Sequence, residues 1–324
     1  MKIPLTLAAG ALGLLLCAQA SANEYSALMK THKYAEVERI ANTTLAQDAG
    51  NADALVAMSE VSMVAGRVED AVRFGERCVA AQPKVANCHL ALGNALGSKA
   101  MSAGMMSAMS YAGKIRDAFK TAVELDPQNM DARFSLMTYY MQAPGIVGGG
   151  TGKAQTLAAQ TALVNPEAGK LMMARLDAAD DKFAKAEAAV LAMPVSSNEA
   201  VAEGQRDLLN NLGNKYLSDK KYADSERMYR EAHKRFPDSE GALYGLARLL
   251  QEQGKHREAI AGFEQVIAMN PRAGAWYRIG QSQQALGDKS KAAAAYQKAL
   301  SFKAGMSAKM KSDADDQLKA MRQQ

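Results

Sequence analysis

Apolar residues recur three and four positions apart along most of the chain, the spacing that places them on one face of a helix. In the last third the pattern returns about every 34 residues, the length of a repeated pair of short helices. The apolar and small positions of the three clearest repeats are Leu209, Leu212, Gly213, Tyr216, Tyr222, Tyr229 and Ala232; Leu243, Leu246, Ala247, Leu250, Ala259, Phe263 and Val266; and Trp276, Ile279, Gly280, Ala292, Tyr296 and Ala299. The sequence therefore predicts a series of helix pairs.

Glycine and proline mark the ends of these helices. Gly254 and Gly287 fall between the two helices of a repeat. Pro237 and Pro271 fall where one repeat passes to the next. Glycine accepts the backbone angles of a tight turn, and proline ends a helix because it has no backbone N–H. No single pair can bury its own apolar face, so successive pairs must stack on one another.

These positions resemble the tetratricopeptide repeat, whose pattern is a large residue, Leu-Gly, an aromatic residue, alanine, a second aromatic residue and proline. Leu212-Gly213, Tyr229 and Pro237 stand at matching positions of one repeat. The resemblance implies an all-α fold, a tetratricopeptide-repeat helical solenoid of antiparallel helix pairs. Small residues such as Gly213 and Gly280 are expected to let the second helix of a pair approach closely.

The pattern continues upstream with more departures. The repeat that starts near residue 86 carries about ten extra residues between its two helices, and the repeat from residue 130 carries about five, in the glycine-rich stretch 143–150. The expected organisation is a signal peptide at 1–22, a degenerate N-terminal stack with insertions at 23–193, a joint at 194–205, three repeats at 206–306 and a polar C-terminal capping helix at 307–324.

A second resemblance is carried by the stretched repeat and the residues that follow it. After the stretched repeat come Leu125-Asp126-Pro127 and then Tyr139-Tyr140-x-Gln142-Ala143-Pro144-Gly145-Ile146-x-Gly148-Gly149. This combination is similar to a group of bacterial exported repeat proteins. The likeness covers nearly all of the chain after the signal peptide, but it is specific only for the fold and implies no biochemical activity.

The composition agrees with a helical, water-soluble protein. Hydrophobic residues make up 48% of the 324 residues and aromatic residues only 6%, so the chain is poor in strand formers. The net charge of +5 comes from 39 basic and 34 acidic residues, which are scattered through the chain. No block of like charges marks a nucleic-acid-binding arm, so no nucleic-acid partner is expected.

The first residues have the features of an export signal. Lys2 is followed by the apolar run Leu5–Cys17 and by the small residues of a cleavage site, which predicts cleavage between Ala22 and Asn23. A lipid anchor on Cys17 is disfavoured, because a large leucine precedes it. No other stretch is apolar enough to span a membrane. We therefore expect a periplasmic or secreted protein with no membrane span in its mature chain.

Two cysteines, Cys78 and Cys88, remain after removal of the signal peptide. Cys78 is placed in the last turn of one predicted helix and Cys88 in the first turn of the next, across a short turn that contains Pro83. This spacing can bring the two Cα atoms within the range that a disulfide spans, and a disulfide persists in an exported protein. The alternative is that the two residues are packed separately as small apolar side chains.

The segment Gly148–Lys153 invites comparison with a phosphate-binding loop, but it lacks what that loop needs. Val147 stands at the position of the first glycine, and Ala154 replaces the hydroxyl residue that follows the lysine. The segment also follows a predicted helix and not a strand. We interpret it as a glycine-rich turn between two helices, with Lys153 on the first turn of the second helix.

No arrangement of residues predicts catalysis. No Ser/His/Asp or Cys/His combination can be nominated, and the acidic residues are expected on exposed helix faces. The histidines stand in separate repeats without a partner at metal-ligand spacing: His32, His89, His233 and His256. We therefore expect a protein that is not an enzyme and that uses no cofactor and no metal.

The best-founded binding site is the groove lined by the first helices of the repeats. Side chains on those helices that lie off the packing face should point into it. In the three clear repeats they are Asn210, Asn214, Tyr244, Arg248, Tyr277 and Gln281. Amides can bond an extended peptide backbone, and tyrosine offers a large surface with a polar tip. The leading hypothesis is an exported scaffold or adaptor that binds a protein or peptide, although an ordinary polar surface explains the same residues.

An alternative function uses the methionines of the stretched repeat. Met101, Met105, Met106 and Met109 have helical spacing, and thioethers can bind copper(I). Apolar packing or an adaptable surface explains the same residues without a metal. The alternative is therefore a carrier of a small molecule or metal in the region from Met101 to Gly150.

Overall fold

The computed structural model describes residues 24–302 and 305–322. Within these ranges every regular element is a helix, which confirms the all-α prediction. The chain divides into two compact units between Leu157 and Ala158. In each unit, successive helices form antiparallel pairs of the helical-solenoid type, and the first helices of neighbouring pairs contact each other.

The first unit begins with short helices and ends within a helix shared between the units. Its elements are α1 (residues 24–30), α2 (Tyr34–Gln47), α3 (Ala52–Val64), α4 (Val68–Ala81), α5 (Ala86–Ser102), α6 (Met105–Leu125), α7 (Met130–Gln142), the 3₁₀ turn Gly145–Val147 and the start of α8 (Thr151–Val164). The extra residues of the repeat at 86 do not form a loop between its helices. They lengthen both of them, because the insertion is rich in the helix formers alanine and methionine.

The second unit contains the rest of α8 and nine further helices. They are α9 (Pro166–Ala179), α10 (Phe183–Leu191), α11 (Glu199–Ser218), α12 (Tyr222–Arg235), α13 (Glu240–Glu252), α14 (His256–Met269), α15 (Ala273–Ala285), α16 (Lys289–Leu300) and α17 (Ala308–Arg322). The predicted capping segment corresponds to α17. The segment 194–205 lies wholly in this unit, and its second half forms the first turns of α11.

The turns within the repeats follow the glycine pattern of the sequence. Gly254 and Gly287 lie between paired helices with φ angles of +76° and +82°, which an L side chain rarely adopts. The stretch 143–150 is the predicted turn between α7 and α8. A Cβ on Gly149 would lie 1.8 Å from the carbonyl oxygen of Ala143, so only glycine fits there.

An aromatic residue on the second helix of a repeat packs against glycines of the first helices. The ring of Tyr229 on α12 packs against Gly213 and Gly245. A Cβ atom added to Gly213 would lie only 2.7 Å from this ring, and one added to Gly245 only 2.2 Å from it. The ring of Tyr296 on α16 has the same relation to Gly280, at 2.7 Å. The prediction that Gly213 and Gly280 permit close helix approach is confirmed, and the wedged rings hold the pairs at a fixed spacing.

Cys78 and Cys88 form a disulfide in the structure. Cys78 lies in the last turn of α4 and Cys88 in the first turn of α5, as the helix pattern predicts. Their Cα atoms are 5.1 Å apart, within the range that a disulfide spans. Both side chains are fully buried. The bond therefore joins the end of α4 to the start of α5 within the core, where one helix pair is followed by the next.

Candidate functional site

The six residues predicted for the groove fall into two groups. Four of them lie on the neighbouring helices α11 and α13, and we call this set the α11–α13 face: Asn210, Asn214, Tyr244 and Arg248. Tyr277 and Gln281 lie on α15. Only the first group presents partly exposed side chains from two adjacent first helices.

Hydrogen bonds connect the two helices of the α11–α13 face. The side-chain oxygen of Asn214 accepts a hydrogen bond from Nη1 of Arg248 at 2.7 Å and another from the hydroxyl of Tyr229 at 2.8 Å. Burial raises the pKa of Tyr229 to about 12, against the opposing effect of the Arg248 charge. The phenol therefore stays protonated at neutral pH and can keep donating to Asn214.

The same face holds two polar atoms with no hydrogen-bond partner among the described residues. They are the side-chain oxygen of Asn210 and Nε of Arg248, and both are buried. A buried polar group without a partner costs free energy, on the order of 1–3 kcal/mol, and most such groups in proteins are paired. An acceptor on α11 and a donor on α13 thus have no partner within the described part of the chain.

Tyr244 forms an aromatic platform beside this polar cluster. Its ring centroid lies 5.5 Å from that of Phe263 on α14, and the guanidinium carbon of Arg272 lies 4.7 Å from its centroid. Arg272 immediately precedes α15 and was not identified from the sequence, because it lies in a loop outside the helical pattern. The stacked pair of Tyr244 and Arg272 adds a flat, partly charged surface to the face.

Tyr277 is buried, unlike the partly exposed Tyr244. Its side chain is only 7% exposed, and its hydroxyl donates to Oδ2 of Asp313 on α17 at 2.7 Å. Gln281 donates to the same hydroxyl at 2.9 Å. Burial, reinforced by the hydrogen bond to Asp313, raises the pKa of Tyr277 to about 12. The capping helix therefore covers the part of α15 that was predicted to face a ligand.

The methionines proposed for the alternative carrier function lie at the ends of α5 and α6. Met101 is 87% exposed and Met109 is 45% exposed, while the side chains of Met105 and Met106 lie outside the described part of the structure. Among the described residues, no three His, Cys, Asp or Glu side chains are close enough to hold a metal ion. Within that same part of the chain, no helix is long and apolar enough to cross a membrane.

Comparison with protein families agrees with this geometry. Residues 204–272 and residues 244–308 each match a family model described as tetratricopeptide repeat. The chain contains tetratricopeptide repeats between residues 204 and 308. The two matches cover the three regular repeats, and the more irregular upstream pairs lie outside them. No curated protein matches the chain.

A solved structure resembles this chain in fold. The crystal structure of yeast Tom70 has a TM-score of 0.66 and 14% sequence identity, and the match covers 90% of this chain. This chain spans 59% of the length of that Tom70 chain. A tetratricopeptide repeat protein from Parabacteroides merdae matches 94% of this chain and 98% of its own, with 14% identity and a TM-score of 0.43. Tetratricopeptide repeats form protein-binding scaffolds and are generally not enzymes.

Proposed function

We propose that this tetratricopeptide-repeat protein is an exported adaptor that binds an extended segment of a partner protein on the α11–α13 face. The observation that carries the proposal is the unpaired acceptor of Asn210 beside the unpaired donor of Arg248. A peptide backbone offers an N–H and a C=O in every residue, so it can satisfy both. Rotation of these half-buried side chains towards the surface would bring both atoms into reach of a ligand.

The spacing of the face supports an extended ligand. Asn210 and Asn214 are four residues apart on α11, which places their Cβ atoms about 6 Å apart. Arg248 on α13 is hydrogen-bonded to Asn214. Backbone groups on the same edge of an extended chain recur every two residues, or about 6.6 Å. The spacing of Asn210 and Asn214 along α11 thus matches one such repeat of a peptide edge, with Arg248 beside the second position.

The aromatic platform supports a preference for a side chain next to that peptide edge. Tyr244 and Arg272 form a stacked, half-buried surface, and tyrosine loses little side-chain entropy on binding. The ring of Phe263 packs against the ring of Tyr244. A planar or apolar side chain of the partner would pack there while its backbone is held by Asn210 and Arg248.

Site-specific photocrosslinking tests this proposal. We expect a benzoylphenylalanine at Tyr244 to form adducts with a partner protein in cells, and the added change Arg248→Ala to reduce the adducts about tenfold or more. Loss of a hydrogen bond to a charged group is worth about 1.5–3 kcal/mol, and 1.4 kcal/mol corresponds to a factor of ten in affinity. Adducts are detected as higher-mass bands and identified by mass spectrometry.

Tyr222 on the second helix α12 provides a matched control, because it is also a half-buried tyrosine of the same unit. The probe at Tyr222 should give no adduct that depends on Arg248. The proposal is wrong if the probe at Tyr244 yields no protein adducts, or if the adducts are equally abundant with and without Arg248→Ala.

Export is supported by the N-terminal residues and by the disulfide. The apolar run Leu5–Cys17 and the predicted cleavage site between Ala22 and Asn23 lie outside the described residues. The Cys78–Cys88 disulfide is of the kind that persists in oxidising compartments such as the periplasm. We expect protein recovered from the periplasmic fraction to begin at Asn23 by N-terminal sequencing. Recovery of the uncut chain from the cytoplasm alone would refute export.

A further inference from the structure

An apolar cleft lies in the first unit, apart from the α11–α13 face. It is formed by α5, α6, α7 and the residues that follow α7, and its volume is about 770 Å³. Pockets that bind small molecules usually have volumes of about 300–1,000 Å³ and mostly apolar walls. The cleft therefore has the size of a small-molecule site.

The cleft exists because two helices of the stretched repeat are longer than their neighbour. Helices α5 and α6 have 17 and 21 residues, whereas α7 has 13. Small residues keep the resulting space empty: Gly97, Ala100, Ala108 and Ala112 line it. A Cβ built on Gly97 meets no atom within 4 Å.

The walls offer little to a charged ligand. Apolar contacts come from side chains such as Ile115, Phe119 and Phe134, and Asp131 is the one charged residue among the described lining residues. Some polar groups of the wall are already bonded within the protein, for example the hydroxyl of Tyr139, which donates to the carbonyl of Val147 at 2.6 Å. The cleft is thus suited to hydrocarbon.

The shape of the cleft favours a linear ligand. Its lining residues on α7 run from Asp131 to Gln142, which at 1.5 Å per residue is roughly 16 Å. A volume of about 770 Å³ over that length gives a mean cross-section of roughly 50 Å². The cleft is therefore longer than it is wide, and an extended aliphatic chain can lie along it.

We propose that this cleft binds a single-chain lipid with an uncharged headgroup, with the aliphatic chain lying along α7. Met101 and Met109 line the cleft and are largely or half exposed, so their flexible thioether side chains can close over the chain. The headgroup lies at the end of the cleft near Gln142, an exposed amide. This site is independent of the peptide-binding proposal, since all of its residues belong to the first unit.

Calorimetric titration of the purified protein with monolauroylglycerol, below the concentration at which that lipid aggregates, tests the proposal. We expect binding of one molecule per chain with a negative heat-capacity change, the mark of apolar burial. The variant Gly97→Leu adds a side chain to the wall of the cleft at a position where a Cβ meets no atom within 4 Å. It should weaken binding at least tenfold while the melting temperature stays unchanged or rises, because leucine favours a helix more than glycine does.

Gly113 provides the matched control. It also lies within a helix, α6, and a Cβ built on it meets no atom within 4 Å, but it does not line the cleft. Gly113→Leu should leave the affinity unchanged. The proposal is overturned if wild-type protein gives no binding, if the two leucine variants bind equally well, or if the protein binds phosphatidylcholine vesicles and not the monomeric lipid.

Discussion

Replacement of Tyr229 by alanine is expected to lower the free energy of unfolding by about 3–5 kcal/mol, the usual cost of removing a large buried aromatic side chain. The ring is 1% exposed and fills the space between Gly213 on α11 and Gly245 on α13. Loss of the ring would leave a cavity beside Gly213 and Gly245. Glycine has no side chain that could fill this cavity, so the neighbouring helices would have to shift. Urea denaturation followed by circular dichroism measures the change.

The conservative change Tyr229→Phe separates the ring from its hydroxyl. It keeps the buried ring and removes the hydroxyl with its hydrogen bond to Asn214, so it should cost about 1 kcal/mol. It also leaves Asn214 bonded to Arg248 alone. Equal destabilisation by alanine and by phenylalanine would contradict the role of the ring as a spacer between first helices.

Opening the disulfide between Cys78 and Cys88 should lower the stability by about 2–3 kcal/mol, because the bond closes a short loop and restricts the unfolded chain. The two cysteines are ten positions apart, so the effect belongs to the lower part of the range for disulfides. We expect dithiothreitol to shift the urea midpoint of the wild-type protein to a lower concentration.

The double variant Cys78→Ala, Cys88→Ala is the control for this experiment. Its urea midpoint should already be lower than that of the wild-type protein and should not respond to dithiothreitol. Alkylation under denaturing conditions, before and after reduction, gives an independent check. Two cysteines that are alkylated without reduction in the natively produced protein would contradict the bridge.

Much of the fold could be predicted because each repeat carries its own local signals. Gly254 and Gly287 mark turns, and Gly213 and Gly280 mark close contacts, whether or not the neighbouring repeat is known. The lengthening of α5 and α6 was missed, because a repeat template assigns extra residues to a loop although their composition favours helix. The cleft follows from that lengthening and so was not defined by sequence alone.

The candidate site was only partly predictable for a different reason. Tyr244 and Tyr277 occupy the same position of successive repeats, so the pattern alone gives them the same role. They differ in what packs against them: Tyr277 is covered by Asp313 of α17, and Tyr244 contacts Arg272 from an irregular segment. Both differences depend on residues outside the repeat pattern.

Likewise, the polar segment 194–205 resembles a linker when only composition is considered. In the structure the fully buried side chain of Gln205 donates to the carbonyl of Pro194 and accepts from the backbone N–H of Ser196. A polar side chain within α11 thereby forms hydrogen bonds with backbone groups of the turn that precedes this helix. The pattern of apolar residues gives no sign of such a contact.

The position of α17 also limits how the array can change in length. Its buried residues Ala314 and Leu318 pack beside Tyr277 and Tyr296, where the first helix of another repeat would otherwise lie. Most of the other side chains of α17 are polar, so the helix offers little apolar surface to a further repeat. A repeat inserted between α14 and α15 would meet matching surfaces on both sides, so internal duplication is the simpler way for the array to grow.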